Sequence, residues 1–93
     1  MQLVWSSSFA RSLKRLQRQR PQLKPSIAQT LDQLERDPFH PNLHTHKLKG
    51  SLADRYACSI NYADRIIFRF VQNPVSDEEE IFLLAIGSHD EVY

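Results

Sequence analysis

Residues 65–72 read RIIFRFVQ, and the period of this stretch is two. Ile66, Phe68 and Phe70 fall on one side, Arg65, Ile67 and Arg69 on the other. Branched and aromatic residues in strict alternation specify a β-strand with one apolar face and one face that carries two guanidinium groups. The signals on both sides extend the pattern. Upstream, residues 56–61 form a second apolar run, separated from the first by a tight turn near Tyr62-Ala63-Asp64. Downstream, Asn73-Pro74-Val75-Ser76-Asp77 has turn chemistry, and a last strand is expected over about residues 80–86. Three consecutive strands with short connections favour an antiparallel meander.

The first half of the chain has the other period. Leu3-Val4-Trp5 is a short apolar run that reads as an opening strand, and Ser6-Ser7-Ser8 offers N-cap hydroxyls after it. Phe9, Leu13 and Leu16 recur at helical spacing, with Arg11, Lys14, Arg15 and Arg18 on the remaining arc, so an amphipathic helix is expected over about residues 7–20 and stops at Pro21. A second helix, from about Pro25 to Arg36, has Ile27, Leu31 and Leu34 as its stripe. Two such stripes need an apolar partner, and the sheet supplies one. The expected architecture is α+β, in the order β-α-α-β-β-β, with an antiparallel sheet carrying a helical hairpin on one face. The face with Arg65 and Arg69 is left for solvent or a ligand. Residues 38–53, with His40, His44, His46 and Gly50, read as a long loop, and long loops in small domains are often functional.

Ninety-three residues suit a single domain spanning 1–93, without repeats or linkers. The lone Cys58 excludes an internal disulfide, and no segment has the apolar length of a signal peptide or membrane span, so a cytoplasmic protein is expected. Cys58, between Tyr56 and Ile60, reads as a packing residue. The formal charge of +1 hides an asymmetry: residues 1–50 carry +6 and residues 51–93 carry −5. A basic half of this kind could attract a polyanion, although for any single charge a solvated helix face is the commoner reading.

Three segments hold chemistry-bearing residues: the loop HTHKLKG (44–50), the strand opening Asp64-Arg65, and the tail GSHDEVY (87–93). Antiparallel pairing brings the start of one strand beside the end of its neighbour, so Arg65 and His89 are expected to meet, with His46 closing the site from the loop. Two imidazoles, a guanidinium and a phenol suit RNA cleavage. The 2′-hydroxyl must lose a proton, the leaving 5′-oxygen must gain one, and the phosphate needs a cation. No Cys or second His pair at ligand spacing accompanies His44 and His46, so no metal or other cofactor is expected.

HKLKGSLADRYACSINYADRIIFRF (46–70) and IFLLAIGSHDEVY (81–93) together resemble the bacterial RelE/ParE toxin superfamily of type II toxin–antitoxin modules. The similarity is greatest to its RelE-like and YafQ-like mRNA interferase branch. It extends over nearly the whole chain. It implies a RelE-like fold and a ribosome-dependent endoribonuclease that cuts A-site mRNA on the 70S ribosome without a metal, silenced by a cognate antitoxin. It also implies roles. His46 and His89 would transfer protons, Asp64 would be an active-site acid, Arg65 would bind phosphate, and Tyr93 would stack on or orient the cleaved nucleotide. Lys47 and Lys49 would contact RNA, as would Arg69 on the same open face as Arg65. A strand histidine of the YafQ-like branch is absent, with Ile60 or Asn61 near its place, and His89 stands where RelE has arginine. Which histidine is the base stays open. The alternative is a ParE-like gyrase inhibitor, which would not need His46, Arg65, His89 and Tyr93 together.

Overall fold

A computed structural model describes all of residues 1–93. The chain runs through β1 (Leu3–Trp5), α1 (Ser7–Gln19), α2 (Lys24–Arg36), β2 (His46–Lys47), β3 (Tyr56–Ser59), β4 (Asp64–Gln72), β5 (Glu79–Ser88) and α3 (His89–Val92). The strands form one sheet in the order β1-β5-β4-β3-β2. The expected meander is present, since β3, β4 and β5 pair antiparallel. Two features add to it. β1 pairs in parallel with β5, so the complete sheet is mixed, and His46–Lys47 leaves the long loop to form an edge strand against Tyr56 and Ala57.

α1 begins where the sequence offers its hydroxyls. Ser6 is the cap: its Oγ accepts from the Phe9 N–H at 2.9 Å, satisfying a donor that the first helical turn cannot pair. Ser6→Ala is expected to cost about 1 kcal/mol, which for a domain of this size lowers the thermal midpoint by roughly 4–8 °C, as calorimetry would report. Phe9, Leu13 and Leu16 are buried, as their spacing requires. α2 departs slightly from its expected stripe. Ile27, Thr30 and Leu34 are its buried residues, and Leu31 is only half-buried at the margin. Thr30 can occupy an interior place because its hydroxyl donates to the Ser26 carbonyl at 2.8 Å, within its own helix.

Both helices pack on the face of the sheet formed by Cys58, Ile66, Phe68, Ile81, Leu83 and Ile86. Along β5 the core positions change parity, from 81 and 83 to 86. The register explains this: Ile67 opposes Ala85 but Phe68 opposes Leu83, so Leu84 is an extra residue in β5. Such a bulge bends and twists its strand. Here it returns Ile86 to the helix side and sets Gly87 opposite Arg65.

Candidate active site

The turn between β3 and β4 is organised by one side chain. Asn61 Oδ1 accepts from the N–H groups of Ala63 (2.8 Å) and Asp64 (2.9 Å), while its Nδ2 donates to Asp64 Oδ2 at 2.9 Å. Asx geometry of this kind holds a turn without a glycine. Arg65 follows at the open face. Its Nη1 donates to the carbonyls of Asn61 (2.7 Å), Tyr62 (3.0 Å) and Asp64 (3.1 Å). Its Nε and Nη2 make no hydrogen bond within the chain. A guanidinium fixed through one nitrogen and open along its other edge suits a doubly bonded oxyanion.

The tail is folded rather than frayed. Ser88 and Glu91 form a reciprocal capping box: the Glu91 N–H donates to Ser88 Oγ at 3.3 Å, and the Ser88 N–H donates to Glu91 Oε1 at 2.9 Å. Those contacts with Ser88 hold the Glu91 carboxyl below its ordinary pKa. A Cβ at Gly87 would lie 3.1 Å from Glu91 Oε1, so glycine makes room for the box. The His89 N–H donates to the Ala63 carbonyl at 3.2 Å, fastening the tail to the turn. The short helix brings Tyr93 onto His89, with ring centroids 4.3 Å apart and planes at 71°. Four residues cannot sustain a helix alone. Ser88→Ala is therefore expected to cost about 1 kcal/mol locally and to speed hydrogen exchange at the Tyr93 amide by roughly five-fold, measured by NMR.

His46, Leu48, Lys49, Leu52, Arg65, His89 and Tyr93 line a single cleft of about 460 Å³. Loop, hairpin and tail thus meet. His46 Nδ1 lies 3.1 Å from the His44 carbonyl. A carbonyl only accepts, so Nδ1 carries a hydrogen in this contact, and in the neutral ring Nε2 is then the free acceptor. Burial, partly opposed by the Arg65 charge, pushes the Tyr93 phenol above its ordinary pKa, so it stays protonated at neutral pH. Burial pushes the Cys58 thiol up to about 12, which accords with a packing residue and not a nucleophile.

Residues 1–93 match the family described as "Bacterial toxin of type II toxin-antitoxin system, YafQ". The chain belongs to the YafQ toxin family. Among solved structures, YafQ from E. coli strain BL21(DE3) is similar with a TM-score of 0.79 and 12% identity, covering 98% of this chain and 96% of that one. A YoeB/ParE toxin from Agrobacterium tumefaciens gives 0.76 and 22%, covering 96% and 99%. YafQ in the E. coli DinJ–YafQ complex gives 0.72 and 12%, covering 98% and 96%. No curated protein matches. At these identities the structural likeness is one of fold.

This YafQ-family chain does not gather every residue singled out in its sequence. Asp64 stands outside the cleft. Successive strand residues point to opposite faces, so with Arg65 in the cleft Asp64 turns inward. It is 1% exposed and absent from the cleft lining. Arg20 donates to it through Nη2 (2.8 Å to Oδ1) and Nη1 (3.3 Å to Oδ2). Burial pushes its pKa up, but the hydrogen bonds from Arg20 and Asn61 and the charges of Arg20 and Arg65 outweigh that, and the net shift is downward. Lys47 is exposed on edge strand β2 and lines no cleft. Arg69 shares the face of Arg65 but lies about 13 Å further along the strand. There it stands 3.8 Å from Asp54 and over the Phe82 ring at 5.7 Å.

The residues that sequence reasoning missed are supports. Ser88-x-x-Glu91 is a capping signature legible in advance. Arg20, 44 positions from Asp64, had no local signal.

Proposed function

We propose that this YafQ-family toxin is a ribosome-dependent endoribonuclease that cleaves A-site mRNA. The convergence of His46, Arg65, His89 and Tyr93 on one cleft carries the reading. His46 Nε2 takes the proton of the 2′-hydroxyl, and the 2′-oxygen forms a bond to the adjacent phosphorus. The bond from phosphorus to the 5′-oxygen breaks, and His89 as imidazolium protonates that oxygen. The products are a 2′,3′-cyclic phosphate and a 5′-hydroxyl. Arg65 holds the non-bridging oxygens as negative charge accumulates. Lys49 in the cleft wall adds positive charge. Tyr93, kept neutral and braced against His89, offers a ring to the nucleotide being cut.

The tautomer of His46 supports the assignment of base and acid, which the spacing of residues left open. Asp64 acts at one remove, as a positioning residue that anchors the turn bearing Arg65. The exposed basic arc of α1 supports salt-sensitive docking to ribosomal RNA. A partner antitoxin is supported by the DinJ–YafQ complex of a related fold. Mapping transcript ends after brief expression tests the reading. Cuts phased with codons are expected. Intact messages together with topoisomerase cleavage complexes would replace it with gyrase inhibition.

A further inference from the structure

We propose that Tyr62 is a stacking platform for an unpaired nucleobase beside the cut phosphodiester; this contact rests on the ribonuclease reading. Tyr62 is 98% exposed, at the tip of the turn between β3 and β4. Each other Trp, Tyr or Phe ring in the chain has a partner. Trp5 meets Phe9, and Phe39, Tyr56, Phe68 and Phe70 meet one another. Phe82 lies under Arg69, and Tyr93 packs on His89. Tyr62 has none, and its hydroxyl makes no hydrogen bond within the chain. The fold does not use this ring.

The backbone beneath it is nevertheless pinned. The Tyr62 carbonyl accepts from Arg65 Nη1, the Asn61 side chain ties the next two N–H groups, and the Ala63 carbonyl accepts from the His89 N–H. The ring is therefore presented from a stiff mount directly linked to Arg65. It borders two clefts. One, of about 430 Å³, contains His44, His46 and Arg65; the other, of about 440 Å³, contains Arg65, His89 and Asp90. A strand whose phosphate sits on Arg65 thus passes the Tyr62 ring on leaving the site. Proteins that hold single-stranded RNA combine such a cationic track with aromatic faces for the bases. The surroundings of the ring are polar, which suits a base edge in water and does not suit an apolar protein surface.

The test uses purified ribosomes carrying a defined mRNA, with single-turnover cleavage followed against toxin concentration. Tyr62→Ala is expected to raise the half-saturating concentration about 5- to 100-fold, with the maximal rate within about two-fold of the parent. Tyr62→Phe should behave as the parent, because the face and not the hydroxyl is used. Abasic nucleotides placed singly around the cut should include one that weakens the parent by a similar factor and leaves Tyr62→Ala no weaker than before. Half-saturation unchanged in Tyr62→Ala, or a Tyr62→Ala penalty that persists in full at every abasic position, would overturn the contact and leave the ribonuclease reading standing. Absence of cleavage by the parent protein would instead remove the ribonuclease reading, and this contact with it.

Discussion

Cleavage of ribosome-bound mRNA by the Arg65→Ala protein is expected to fall by about 10²–10³-fold, the usual loss when a preorganised donor to a developing oxyanion is removed. Growth arrest on expression should vanish with it. The fold should survive, because water can replace Nη1 at the Asn61 and Tyr62 carbonyls on the turn, and the buried Asp64 carbonyl keeps the Ile60 N–H as its donor. A stability loss of no more than about 1 kcal/mol is expected, and urea denaturation would separate that from the catalytic effect. Arg65→Lys should recover only part of the rate, since an ammonium keeps the charge but not the fork. Undiminished cleavage by Arg65→Ala would remove this arginine from the mechanism.

The second large effect lies outside the cleft. Arg20→Ala leaves the buried Asp64 carboxylate with Asn61 as its only side-chain hydrogen-bond donor. Asp64 is buried but Arg20 is 36% exposed, so water partly replaces the guanidinium and the cost is about 1–3 kcal/mol, a sizeable share of the roughly 5–14 kcal/mol available to a chain of this length. The thermal midpoint should drop by roughly 4–24 °C. The pH dependence has a definite sign. In the parent, the folded-state pKa of Asp64 is depressed, so the contribution of the pair is present above the unfolded carboxyl value of about 4 and is lost as pH falls through the folded value. The stability difference between the parent and Arg20→Ala should accordingly be large at pH 7 and shrink in acid. Denaturant titrations at both pH values measure it. Asp64→Asn in the Arg20→Ala background should restore part of the loss by removing the stranded charge. A difference that grows in acid would contradict the ion pair as its source.

On the proposed function, catalysis and stability depend on adjacent residues with opposite orientations. Arg65 faces the cleft and Asp64 the interior, and the same Asn61-centred turn holds both. A substitution at Asp64 is expected to lower activity by destabilising the domain together with the turn that carries Arg65. Its signature is a loss that follows the folded fraction, with little change in the rate of the molecules that remain folded.

The sequence by itself determined the helices, the three-strand meander and the separation into an apolar and a cationic sheet face. These follow from period and turn chemistry, which are properties of neighbouring residues. Antiparallel pairing alone was enough to bring Arg65 towards the tail. The tertiary structure decided the rest. It set β1 parallel to β5, drew His46–Lys47 onto the sheet edge, and rotated the end of β5 by one residue at Leu84. It also placed Arg20 against Asp64 and kept that buried carboxylate out of the cleft lining. Those outcomes rest on contacts between residues distant along the chain, whose pairing is selected by burial and charge compensation and leaves no mark in local spacing.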